Sequence, residues 1–236
     1  MSFSLLSLLS LLSLLSLLSL LACSCTDTPD TGADDTDTDA EPEWGYSGET
    51  ALNAYNPGYY IRYEVDAGST LTWNGNVYDL VQFHFHGQSE HTIEGQHTAV
   101  EIHFVHARQD DATQLAVVAM LADADDVSGL VGVFDAGGAL LFPDALALTE
   151  SHEATALGGS VDLGAVFGFG KGTPLLHYGG SLTTPPCSEG VEFFVVGSLL
   201  PMLSADIAAF HGVYDYNYRP VQPLNGRIVT GWYVDR

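Results

Sequence analysis

Leu71-Thr72-Trp73-Asn74-Gly75-Asn76-Val77-Tyr78-Asp79-Leu80-Val81-Gln82-Phe83-His84-Phe85-His86 is the stretch on which the fold turns. Asn74-Gly75-Asn76 is turn chemistry between two extended apolar runs, as in a β-hairpin. Alternate side chains of a strand point to opposite faces. His84 and His86 therefore share one face, and Phe83 and Phe85 share the other. A second strand-like run, Glu101-Ile102-His103-Phe104-Val105-His106, is able to present His103 to the same spot. Three neutral imidazoles converging on one point make a catalytic zinc site whose fourth tetrahedral position is left to water.

Outward from this hairpin, residues 59–65, 99–106, 115–121, 175–178 and 191–199 read as further strands. Residues 67–69 read as a turn, 125–134 as a short helix and 227–234 as a final extended piece. Ser204 is expected to cap a helix over 205–211. The Gly- and Ala-rich stretch 137–170 reads mostly as loops. The expected fold is mainly β (α+β): one domain on a large central sheet with few short helices.

The chain has 236 residues, 46% of them hydrophobic, so one good-sized core is expected. Lys and Arg number 6 against 30 Asp and Glu, for a formal net charge of -24. Such a surface repels phosphates, which excludes nucleic acid as a partner. Residues 5–22 repeat Leu-Leu-Ser and end at Leu20-Leu21-Ala22-Cys23. An apolar run closing on small residues reads as a secretory signal over 1–22. Its last residues resemble the processing site of bacterial lipoproteins. That implies an exported protein, periplasmic or at the cell surface, touching membrane only through a lipid anchor at Cys23. An uncleaved membrane helix is the alternative. Residues 23–43 are acidic, without Lys, Arg or large apolar residues, and read as a disordered tether; the domain is expected over 44–236. Beyond Cys23 only Cys25 and Cys187 remain, and their pairing across the tether is one possibility.

Five motifs occur in order: Gln82-Phe83-His84-Phe85-His86, Ser89-Glu90-His91-Thr92, the run Glu101 to His106, Gly180-Ser181-Leu182-Thr183-Thr184-Pro185-Pro186-Cys187, and Asn217-Tyr218-Arg219-Pro220. Together they resemble the α-class carbonic anhydrases, from about Tyr55 to the end of the chain. The resemblance implies a mostly antiparallel sheet and an active site in a cone-like cavity reaching it. It implies Zn2+ on His84, His86 and His103, where zinc lowers the pKa of bound water to about 7; carbonic anhydrase is itself the reference case for that value. The zinc-bound hydroxide would hydrate carbon dioxide reversibly to bicarbonate and a proton.

Gln82 and Glu101 match the partners that orient His84 and His103, and the backbone carbonyl of Asn217 matches the partner of His86. Thr183 matches the acceptor of the hydroxide's hydrogen bond, and Glu90 the carboxylate that takes the Thr183 proton. Val105, Val117, Leu182 and Phe193 match the apolar pocket for carbon dioxide, with Thr184 in the same cavity; the family usually has Trp at the Phe193 position. His91, His106, Tyr178 and Arg219 match structural hydrogen-bonders. His97, His152, His177 and His211 read as surface or packing residues.

Two departures stand out. Asn56-Pro57-Gly58-Tyr59 takes the place of the family's Asn-x-Gly-His, so Tyr59, with a reference pKa of about 10, occupies the proton-shuttle position. Between Trp44-Gly45-Tyr46 and that motif, roughly forty residues of the usual domain are missing. That segment usually holds the partner of the Cys187 position. Two alternative functions follow: an activity-impaired zinc-binding module of the same fold, and a general envelope zinc esterase.

Overall fold

The computed structural model describes residues 41–126 and 154–234, apart from 47, 169 and 215. The expected signal segment, the expected tether up to residue 40, most of the expected helix 125–134 and His152 lie outside the described residues. The strands are β1 (Glu43–Gly45), β2 (Glu49–Tyr55), β3 (Arg62–Glu64), β4 (Thr70–Trp73), β5 (Asn76–His86), β6 (Thr92–Ile93), β7 (Gln96–His97), β8 (Val100–Arg108), β9 (Leu115–Ala124), β10 (Thr155–Asp162), β11 (Pro174–Ser181), β12 (Glu189–Met202) and β13 (Thr230–Tyr233). Two short helices, α1 (Leu163–Val166) and α2 (Ser204–His211), complete the described elements.

Eleven of the strands form one sheet in the order β10-β2-β3-β5-β8-β9-β12-β11-β13, with β4 also paired to β5 and β1 beyond it. Neighbours are antiparallel except β9 and β12, which run parallel. β6 and β7 form a separate small hairpin. Asn74 and Gly75 both have positive φ, 47° and 74°, the conformation that a tight two-residue hairpin demands.

β5 carries the structural decision. Its first half pairs with β4 and its second half with β3. The register to β8 slips between Leu80 and Gln82, so Val81 is an extra residue in the ladder. A bulge of this kind shifts the alternation by one. Before it the even-numbered Tyr78 and Leu80 face the core; after it the odd-numbered Phe83 and Phe85 do, while Val81 is 42% exposed. Gln82, His84 and His86 are thereby turned to the opposite face. Phe83, Phe85 and Phe104 pack with Tyr63, Phe194 and Phe210 in the larger core cluster.

β1 seals the far end of that core. Trp44 packs edge-on against Phe194, with ring centroids 6.4 Å apart. Tyr46 stacks on Phe167 at 3.6 Å. Trp44 and Tyr46 therefore anchor this segment to the core.

Three expectations are corrected. The strand expected over 59–65 shrinks to β3, because Asn56 binds the Gly58 N–H through its side chain at 2.9 Å and holds that segment as a loop. The region expected as loops contains β10 and α1; β10 pairs antiparallel with β2 through an irregular register that its glycines allow. Ser204 does not cap α2: Leu203 stands at the cap without a side-chain bond. The Ser204 N–H instead donates to Asp126 Oδ1 at 2.8 Å, so an acid from the end of β9 does the capping. The other expected strands are present with boundaries shifted by a few residues, and the final extended piece expected over 227–234 shortens to β13.

His106 is fully buried on β8. Its Nδ1–H donates to the Ala116 carbonyl at 3.2 Å, and Nε2 accepts from the Tyr46 hydroxyl. Burial pulls its pKa from the usual value near 6.5 down to about 4. The unfolded chain thus takes up this proton first, so the stabilisation present above pH 6.5 is lost as pH falls toward 4. The expected loss is about 2–3 kcal/mol between pH 7.5 and 4.5. Urea unfolding of the wild type and of His106→Gln at both pH values should show that much less pH dependence in the variant.

Candidate metal centre

The bulged half of β5 and its neighbour β8 bring the three candidate histidines together. His84 and His103 lie directly opposite each other in the β5–β8 pairing. The ring centroids are 4.9 Å apart for His84 and His86, 5.4 Å for His84 and His103, and 4.6 Å for His86 and His103. One nitrogen from each lies within 4.8 Å of the other two. His86 and His103 are buried, and His84 is half-buried at the cavity floor.

Each ring's other nitrogen is already engaged. His84 Nδ1 donates to Gln82 Oε1 at 3.0 Å. His86 Nδ1 donates to the Asn217 carbonyl at 2.9 Å. His103 Nε2 donates to Glu101 Oε1 at 2.6 Å. A neutral imidazole has one donor and one acceptor nitrogen, so these bonds fix the tautomer and turn a lone pair inward from each ring. The electrostatics agree for two of them: burial pushes His84 well down, helped by His86, His103 and Arg62, and burial also lowers His86. His103 is opposed by burial, but the Glu101 charge and hydrogen bond hold it above the usual value.

The donor set fits a zinc ion. Three imidazoles and no thiolate or exposed carboxylate is a catalytic-type set with a position to spare. His86 Nε2 is buried without a hydrogen-bond partner, and an inward lone pair of that kind is costly unless a cation takes it. A second cluster, His91, Glu101 and His103, also groups possible ligands. Its atoms are spent on one another: Glu101 accepts from His91 Nδ1 at 2.6 Å and from the His91 N–H at 2.7 Å. His91 Nε2 in turn accepts from the Tyr178 hydroxyl at 2.9 Å. Burial alone would raise the Glu101 carboxyl, yet His91 and His103 hold it well below the usual range.

A cavity of about 510 Å³ opens above the histidines. Val105, Leu115, Val117, Leu182 and Phe193 form an apolar wall, while Gln82, Thr183, Thr184, Ser181 and Asn217 supply polar groups. Tyr59 and Tyr60 stand on the side opened by the 56–61 loop. Phe193 stacks on Tyr178 at 5.2 Å and meets the His103 ring at 5.7 Å.

Residues 32–232 match the family model for eukaryotic-type carbonic anhydrase. The chain belongs to the α-class carbonic anhydrases. A carbonic anhydrase from Klebsiella pneumoniae is 38% identical over 184 residues, covering 75% of this chain and 68% of the relative. One from Neisseria gonorrhoeae is 35% identical over 181 residues, covering 75% and 66%. The chain thus spans about two thirds of the length of such relatives. The solved α-carbonic anhydrase of Photobacterium profundum superposes with a TM-score of 0.66 at 31% identity, covering 80% of this chain and 81% of that one.

Every cavity residue singled out from the α-class carbonic anhydrase motifs lines this space: Tyr59, Gln82, the three histidines, Val105, Val117, Leu182, Thr183, Thr184 and Phe193. Glu90 and Glu101 lie behind them, buried. One expected contact is not made. Glu90 Oε2 has no hydrogen-bond partner, so it does not hold Thr183. Its other oxygen accepts the Arg219 N–H at 2.8 Å and lies 3.5 Å from His86 Nδ1, the nitrogen that donates to the Asn217 carbonyl.

Tyr60 and Leu115 were not singled out in the sequence. Tyr60 follows the Asn-Pro-Gly-Tyr motif and packs its ring 5.7 Å from His84; its neighbour Tyr59 was the only position that the motif drew attention to. Among the buried histidines His86, His91, His103 and His106, His91 and His106 serve hydrogen-bond networks as expected. His177 packs between Trp73 and Phe194, consistent with a packing role.

Asn217 clamps the 212–220 segment to the end of β5. Its side chain accepts the Gly87 N–H at 2.7 Å and donates to the Phe85 carbonyl at 3.0 Å. Asn217→Ala keeps the backbone carbonyl that holds His86 but removes both side-chain bonds. A loss of about 2–3 kcal/mol is expected, read as a lower urea midpoint with an unchanged m-value.

Proposed function

We propose that this chain is a zinc-dependent carbonic anhydrase that interconverts carbon dioxide and bicarbonate. The observation that carries the reading is the set of three inward lone pairs on His84, His86 and His103, each fixed by an acceptor on its other nitrogen. Zinc bound there supplies an acidified water as nucleophile near neutral pH, for which carbonic anhydrase is the reference case.

The chain's own residues do the rest. Carbon dioxide has neither charge nor dipole, and Val105, Val117, Leu182 and Phe193 give it an apolar wall beside the histidines. Phe in place of the family's usual Trp leaves that wall with more room. Thr183 stands at the same wall to accept the nucleophile's hydrogen and orient it. Glu90 Oε2, buried and unpartnered, is the acceptor open to the Thr183 hydroxyl proton. Gln82, Glu101 and the Asn217 carbonyl keep the rings aimed, and His91 and Tyr178 brace Glu101 from behind.

Export of the product proton is the weak link. Tyr59 is 61% exposed at the mouth, where the family's His would relay a proton to buffer. A phenol with a reference pKa near 10 is a poor relay at pH 7. Small buffers must then reach the cavity themselves. The Leu-rich segment ending at Cys23 and the acidic stretch after it support an exported, lipid-anchored protein, with 1–22 a signal, 23–43 a tether and the catalytic domain following.

Carbon dioxide hydration by protein beginning near Trp44, with zinc quantified on the same sample, tests the reading. About one zinc per chain with turnover blocked by a sulfonamide is the expected result. Zinc without hydration would leave a binding module, and ester turnover alone would leave an esterase. At saturating substrate, kcat should rise with imidazole concentration, and Tyr59→His should raise kcat by roughly tenfold or more in dilute buffer. A kcat indifferent to both would overturn the shuttle assignment.

A further inference from the structure

The cavity wall, among the described residues, contains no cation. The chain around it carries a formal net charge of -24. Bicarbonate, the anionic side of the proposed reaction, therefore approaches against an adverse field. One arginine is placed by the sheet beside the histidine end of the wall. Arg62 lies directly across from His84 in the β3–β5 pairing, so the two side chains leave the same face of the sheet. It is two residues from Tyr60, whose ring lines the cavity and packs on His84.

The side chain is held in place. Its guanidinium carbon sits 4.6 Å above the Tyr55 ring, and Nη2 donates to Glu64 Oε1 at 2.7 Å. Nε is shielded from solvent and has no hydrogen-bond partner. The alternative view is a surface ion pair with no role beyond packing. That view does not account for an arginine paired across the sheet from a candidate ligand in so acidic a chain, with a buried donor left unused. Arg108 and Arg227, by contrast, pair with Asp110 and Glu189, neither of which belongs to the wall.

We propose that Arg62 guides small monovalent anions, bicarbonate among them, to the histidine end of the cavity, and that Glu64 attenuates it. The inference rests on the carbonic anhydrase reading for the anion's identity. Arg62 touches no reacting atom in this account. It acts through charge at short range, where a Coulomb interaction is only partly screened.

The test uses thiocyanate as probe and the cobalt(II)-substituted protein, whose visible spectrum reports anion binding without turnover. Arg62→Gln should raise the thiocyanate Kd about threefold to tenfold in dilute buffer, and the difference should shrink by 0.5 M salt. Arg62→Lys should recover most of the affinity. Glu64→Gln breaks the same ion pair, yet it should lower the Kd. A packing role would move Arg62→Gln and Glu64→Gln in the same direction; charge guidance moves them in opposite directions. Equal Kd values for wild type and Arg62→Gln in protein that hydrates carbon dioxide would overturn this inference and leave the proposed function standing. A chain that takes up no cobalt would overturn both.

Discussion

An imidazole offers a metal its lone pair only when something else takes the proton on the opposite nitrogen. Three acceptors do this here, and they come from different levels of the structure. Gln82 is on the same strand face as its histidine, two residues away. Glu101 stands in the same relation to His103. The Asn217 carbonyl is brought by a loop 131 residues further along the chain. Remove these acceptors and the rings would be free to rotate, change tautomer and pair with one another or with Glu90. The rest of the architecture can be viewed as the means of keeping those three acceptors still.

Glu101 is the most constrained of them. It is fully buried and would be expensive as a lone charge. Two histidines, a backbone N–H and, through His91, the Tyr178 hydroxyl complete its surroundings. Phe193 stacks on that same Tyr178 and faces the cavity. The apolar wall and the polar network behind the histidines are thus back to back, so a change in one is felt by the other. Gly180 makes this closeness possible: a side chain there would meet Tyr178 at 2.8 Å and Phe193 at 3.0 Å.

Much of this was legible in the sequence for a physical reason. Strand alternation is a rigid rule, so His84, His86 and their i−2 partner Gln82 could be placed on one face without any tertiary information. The Asn74-Gly75 turn likewise has few backbone solutions. The Asn217 carbonyl, Glu90 and Thr183 became visible only through the family resemblance, since a backbone atom or a lone Thr leaves no pattern. Legibility failed where long-range pairing overrides composition. β10 has Gly158, Gly159 and Ser160 at its middle and becomes a strand because β2 offers it an edge. Asp126 caps α2 from 78 residues away, where no local signal could point to it. Arg62 carries no signal in the sequence, because its significance depends on which strand lies beside it.

The extra residue at Val81 leaves only a trace in the sequence: the large side chains change parity between Leu80 and Phe83. Its effect is that one side of the ribbon stays oil-facing throughout while the parity of the residues on it switches halfway along. Ahead of the irregularity both flanks serve ordinary architecture; past it, one flank stays dry while the other becomes a ligand rack. Straightening the ribbon while keeping that one extra amino acid would put the imidazoles into hydrocarbon and the phenyl rings into water. Neither half can slide in register independently of the other, so the chemistry and the solidity of this molecule are inherited as one unit.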